Sequence, residues 1–323
     1  MSELTQVPRA PSVRQAPIPP EIIGPGSLLW DLTGDHRSNL TFLMPTLMQA
    51  MHPVIGDALS RHPVVITDPW GRRTRSVDSI QLWIYGGPEA LAESRRLREL
   101  HAPVRGRDID GRDYSALNPE AWAWVPLSAY PAFLTMCRLF GEPLGPAGEE
   151  RLYEEIKNLA RIFGVREQHI PATVPEFWAY HDTMISTRLV NHPFVHDVLR
   201  KVRTPPPPPV MRGPLAPLWR ALIPVTGRVN VWIVTGTFPP EVRDILELNW
   251  TDRDERLLRL TGQAIRYLAR VTPEPLRYPP MPRHARRLAR AQAAGHPRRA
   301  ALHQHRLTRH ITTIRTRQTP SIV

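Results

Sequence analysis

The chain of 323 residues has one cysteine, Cys137. No intrachain disulfide can form, and the paired cysteines of redox and zinc sites are absent, which fits a reducing, cytoplasmic setting. Cys137 itself lies in an apolar run and reads as an inert core thiol. The first residues, Met1 to Glu21, are polar and proline-rich and lack the apolar core of a secretory signal. Long uninterrupted apolar runs are missing too. Thr41–Leu59 is broken by Pro45, Gln49, His52, Pro53 and Asp57, and Leu215–Gly236 by Arg220, Arg228 and Asn230. Both read as segments of a folded protein rather than membrane spans. No HExxH, phosphate-binding glycine loop, Gly-x-Ser-x-Gly elbow or CxxC is present, so the common metalloprotease, nucleotide, serine-hydrolase and zinc signatures are excluded.

Acidic residues are also unevenly missing. None follows Glu274, whereas eleven arginines lie between Arg277 and Arg317. The net charge of +12 is therefore carried almost wholly by the end of the chain, and residues 1–274 hold 31 basic against 30 acidic groups. Residues 284–323 read as a basic, disordered tail. Such a tail suits weak contact with an anionic surface. It has no aromatic side chain to stack on bases, so no specific nucleic-acid partner is expected.

Proline is abundant, at 37 residues, and predicts short helices with abrupt ends. Convincing alternating strands are absent. Three- and four-residue apolar spacing predicts helices at Leu28–Leu32, Thr41–Ser60 (bent at Pro45), Pro88–Leu100, Asn118–Phe140, Glu149–Phe163, Val174–Val190, Pro239–Leu248 and Asp252–Leu268. Asp110-Gly111 reads as a turn, and Pro205–Pro209 as an extended polyproline segment. The expected organisation is a flexible leader over 1–23, one large all-α domain over 24–283, and the tail.

Two segments carry the candidate chemistry. In Asp68–Ser76, a helix would put Arg72, Arg75 and Ser76 on one face, continued by Ser79, Ile80 and Trp83. That face could hold an anion, or it could be a solvated surface with snorkelling arginines. In Arg98–Gly106, His101 sits between Leu97 and Val104 at helical spacing. It could ligate iron, or be a core histidine bonded to backbone. Together the segments would suit a haem with His101 below the iron and the Arg/Ser cluster above. Other histidines are weaker candidates: His52 at a helix end, the His192/His196 pair at four-residue spacing, and His181 beside Asp182.

The order of several short motifs resembles the MpaB-type oxygenase family, which includes the rubber oxygenases (latex clearing proteins). These are Gly24-Pro25-Gly26-Ser27 with Trp30, Gln49-Ala50-Met51-His52-Pro53, Asp68-Pro69-Trp70-Gly71-Arg72, Leu100-His101-Ala102-Pro103-Val104-Arg105-Gly106, Tyr114-Ser115-Ala116, Trp124-Val125 and Phe238-Pro239-Pro240-Glu241-Val242-Arg243. The resemblance covers about residues 22–285. The resemblance implies an all-helical fold around haem b and oxidation of an apolar, unsaturated or isoprenoid substrate by dioxygen. It makes His101 the proximal iron ligand and Arg72 the distal arginine, with Arg75 and Ser76 where the family has lysine and threonine. Arg72 and Arg75 would stabilise negative charge on dioxygen, and Ser76 would orient oxygen or water. The chain departs from the pattern at Pro126, where the family often has histidine after Trp-Val, and it lacks an equivalent of the acidic distal residue. A helical carrier that binds an apolar ligand without catalysis is the alternative from another class.

Overall fold

The computed structural model describes residues 18–62, 64–107 and 111–318. Most of the leader and half of the Asp110-Gly111 pair lie outside them. The described chain is a succession of helices. It opens with α1 (Leu28–Thr33), α2 (Ser38–Thr41), α3 (Leu43–Met51), α4 (Pro53–Arg61) and α5 (Val64–Thr67). The hairpin α6 (Pro69–Tyr85) and α7 (Glu89–His101) follows. After a short ribbon of β1 (Arg105–Arg107) and β2 (Asp113–Ser115) come α8 (Pro119–Leu127), α9 (Ala129–Phe140), α10 (Pro146–Ile162), α11 (Val174–Thr187) and α12 (Pro193–Arg203). The last third holds α13 (Ala216–Thr237), α14 (Pro240–Ile245), α15 (Asp252–Val271), α16 (Glu274–Arg277), α17 (Pro280–Ala293) and α18 (Pro297–Gln318).

The all-α expectation holds, with local corrections. The predicted helix over Thr41–Ser60 breaks at His52, not at Pro45. Pro45 falls in the first turn of α3, where no hydrogen bond is lost, whereas Pro53 forces the residue before it out of helix (φ −70°, ψ 124°). The Asn118–Phe140 helix likewise divides at Ser128. The two strands pair antiparallel, with Gly106 opposite Tyr114. At three residues each they are too short to show alternation.

Two large apolar centres, and a small one at Phe140, Ile233 and Leu258, hold the described helices together. One gathers Trp30, Leu82, Trp83, Tyr130, Tyr153, Ile156 and Phe177. The amphipathic face of α10 enters it as its spacing predicts, and Gly164 ends that segment at φ +76°. The other centre is rich in methionine, with Met44, Met48, Met51 and Met184 around Trp124, Phe194 and Phe238. Pro205–Pro208 lie outside any helix or strand and Pro208 is extended (φ −61°, ψ 158°), whereas Pro209, expected to continue the extended run, opens a 3-10 turn.

The disordered tail is overturned as far as Gln318. Residues 280–318 form two helices packed on each other, and Met281, Ala285, Leu307 and Ile314 are buried in the first apolar centre. Their arginines meet carboxylates of the body: Arg286 with Asp31, Arg290 with Glu274, Arg315 with Glu89, and Arg317 with Asp78 at 3.1 Å. The charge that reads as a free polycation in sequence is thus partly neutralised across the fold, although Arg306 and Arg309 stay exposed.

Candidate active site at the open end of a helical hairpin

Asp68 caps α6, accepting the Gly71 amide at 3.0 Å, and Pro69 occupies the first turn. The helix runs to Tyr85. Gly86 and Gly87, the latter at φ +59°, then reverse the chain into α7. This hairpin returns His101, the last residue of α7, to the level of the first turns of α6.

His101 is half-buried. Its Nδ1 lies 2.7 Å from the Leu97 carbonyl, one turn back, and its ring meets the edge of Trp122 at 5.6 Å. A carbonyl can only accept, so Nδ1 carries the proton and Nε2 keeps its lone pair. Nε2 has no partner among the described residues. Burial lowers the basicity of the ring, the Leu97 carbonyl opposes this, and the charges of Arg72 and Arg96 add to it. The imidazole is held neutral, in one tautomer, with one nitrogen free. Val104, expected to share its helix face, lies beyond the helix end.

The Arg72 side chain makes no hydrogen bond and no ion pair among the described residues. Burial chiefly, and then Arg75, destabilise its charge. A partly buried guanidinium without a carboxylate can offer its N–H donors to an anion. The other two predicted residues differ. Arg75 is exposed and lies 3.5 Å from Asp68, itself exposed. Ser76 is half-buried on the Arg72 face.

From Ser79 onward, that face is core rather than pocket wall. Ser79 Oγ donates to Glu93 Oε1 at 2.6 Å, and Trp83 Nε1 to Ser94 Oγ at 3.1 Å. Glu93 is fully buried, and Arg96 (2.7 and 2.8 Å) and Gln318 (3.2 Å) also donate to it. Sequence reasoning missed this carboxylate, whose only signal was an acidic residue among the apolar positions of α7. It locks the hairpin that carries the candidate site.

The other candidate histidines lie elsewhere in the fold, His196 on the surface with Nε2 2.5 Å from Asn191 Oδ1. His192 Nδ1 accepts the Phe194 amide as the cap of α12, and Nε2 faces Asp57 at 3.4 Å. His52 lies 3.5 Å from Glu120 and is kept neutral mainly by burial. His181 is buried among Trp124, Phe177 and Trp178, with Nδ1 3.7 Å from the carboxylate of Asp182, an otherwise exposed side chain. The Cys137 thiol is pushed up to about 11 by burial, which keeps it unreactive. Among the described residues, no three His, Cys, Asp or Glu side chains are gathered as a metal site. Two surface clefts, of about 450 Å³ along α18 and about 250 Å³ between α12, α13 and α15, include neither His101 nor Arg72.

An uncharacterised protein of Mycobacterium bovis and one of Mycobacterium tuberculosis are each 25% identical to the chain over 232 residues, covering 70% of it and 87% of the relative. No solved structure matches. Residues 30–267 match the family described as ER-bound oxygenase mpaB/B'/rubber oxygenase, catalytic domain. That stretch covers most of the chain and contains the whole α6–α7 hairpin, so the protein belongs to this family and carries its oxygenase catalytic domain.

Proposed function

We propose that the protein is a haem-dependent oxygenase acting with dioxygen on an apolar, unsaturated or isoprenoid substrate. The observation that carries this reading is the pairing, on one hairpin, of a neutral His101 with a free Nε2 and an Arg72 guanidinium with no carboxylate. A haem brings four iron ligands of its own, so it needs a single imidazole from the protein, whereas a bare metal ion would need several side chains. The donor set fits the group. With one buried cysteine and no CxxCH, attachment would be non-covalent, as in haem b.

His101 would hold the iron through Nε2, with the Leu97 carbonyl fixing the ring and raising its donor strength. Bound haem supplies the redox iron that activates dioxygen. Arg72 offers fixed N–H donors to a carboxylate of the cofactor or to negative charge developing on oxygen, in a site where burial strengthens such contacts. Ser76, one turn along, is placed to orient a water or oxygen. Arg75 can join only by leaving Asp68.

Dioxygen uptake by the haem-loaded protein with unsaturated fatty-acid and isoprenoid substrates tests the reading. Substrate-dependent uptake is expected. Binding of such molecules without uptake would favour the carrier instead.

A further inference from the structure

Helix α13 shows an apolar face to solvent. Leu215 at its N-cap, Leu218, Leu222, Val225 and Val229 follow one another at three- and four-residue steps, each 45–64% exposed. They form one stripe along four turns. Gly227 faces the protein instead, where an added Cβ would run into the Arg203 carbonyl. The surroundings are basic. No Asp or Glu occurs between Asp197 and Glu241, whereas Arg200, Lys201, Arg203, Arg212, Arg220 and Arg228 do. Arg212, Arg220 and Arg228 are exposed and make no ion pair among the described residues.

We propose that α13 docks on an anionic lipid bilayer, lying in its surface with the stripe at the headgroup–acyl boundary and these three arginines among the phosphates. A contiguous exposed apolar stripe needs a cover. A basic rim favours anionic lipid over a second copy, which would set like charges against each other. No described helix is long and apolar enough to cross a membrane, so the contact is interfacial.

The stripe is wired to the candidate site. Trp70, two residues before Arg72, donates from Nε1 to the Pro206 carbonyl at 2.8 Å, and Trp219 of α13 donates to that of Pro205 at 3.0 Å. The two indoles meet edge to face at 6.2 Å. The Arg72 end of α6 is therefore fixed beside the lipid-facing helix, a short path for an apolar molecule leaving the bilayer. Docking itself needs no haem; only its use as a substrate route rests on the oxygenase reading.

Flotation of the full chain with phosphatidylcholine vesicles, with and without phosphatidylglycerol, tests the proposal. The protein should float only with the anionic vesicles, and less as salt rises. A Leu218→Ser/Leu222→Ser/Val225→Ser variant should lose about tenfold or more in partitioning, with its circular dichroism and melting unchanged because these side chains are exposed. An Arg220→Gln/Arg228→Gln variant should weaken binding, and Arg306→Gln/Arg309→Gln on α18 should not. Failure to float with anionic vesicles would overturn the proposal, as would full binding by the serine variant or loss confined to the α18 variant. So would a wild-type dimer, unable to bind vesicles, that the serine variant splits. Haem content read on the same samples separates the two claims: a haem-free protein that floats keeps the docking and removes the haem dependence.

Discussion

Arg72 lies close enough to His101, across the α6–α7 hairpin, that its charge adds to burial in keeping the imidazole neutral. Among the described residues neither forms an ion pair, and each presents an unspent function: a lone pair on one, N–H donors on the other. The reading predicts unequal roles for the two arginines. In the haem-loaded protein, Arg72→Gln should lower substrate-dependent dioxygen uptake by about 10²-fold. Arg75→Gln should change it only a few-fold, since Arg75 is exposed and holds Asp68. Steady-state uptake rates decide, and equal losses would refute the asymmetry.

Glu93 should be worth far more to stability than its place on a charged helix suggests. Glu93→Ala removes the buried acceptor shared by Ser79, Arg96 and Gln318. The expected loss is about 3 kcal/mol, at the low end for breaking a buried pair because Arg96 can turn to water. Urea unfolding measures it. A loss within the range of ordinary surface substitutions would show that the network contributes little.

The C-terminal helices should be part of the folding unit. A chain ending at Pro279 removes Met281, Leu307 and Ile314 from the apolar core, together with the ion pairs to Glu89 and Asp78. Three such side chains contribute about 5 kcal/mol or more, so the truncated protein should melt well below the full chain. Equal melting temperatures would restore the picture of a dispensable tail.

Acid should loosen this same region. His284 stacks between His303 and His310, and its pKa is pushed down to about 4 by burial first, then by His310, Arg306, Arg283 and His303. Unfolded, it would titrate near its ordinary 6.5. Between these values the unfolded state binds more protons. The stability tied to neutral His284 is therefore complete above 6.5 and is lost as pH falls towards 4. His284→Phe should flatten the fall in melting temperature over that window; an unchanged slope would place the acid sensitivity elsewhere.

Much of the fold was legible because helices announce themselves locally. The face of α10 and the Pro88–Leu100 helix that becomes α7 each follow from residues within a few positions. His101 was legible as a histidine of that helix, although the helix ends there instead of running on to Val104. What sequence could not show was partnership at long range. The arginines after Glu274 look unpaired until folding brings Asp31, Asp78 and Glu89 to them. The small residues of α17 and α18 look too weakly apolar for a core until Leu307 and Ile314 meet Met281 and Ala285. Conversely, Arg75 and Ser79 share a helical face with Arg72 on paper. In the structure Arg75 turns to Asp68 and Ser79 to Glu93.

The most direct measurement is the pyridine-haemochrome content and Soret absorbance of protein made with iron and haem precursor, compared with His101→Ala. The account predicts about one haem per chain in the wild type and loss of that haem in the folded variant. A wild-type protein that takes up no haem on reconstitution, or a His101→Ala variant that retains it in full, would contradict it.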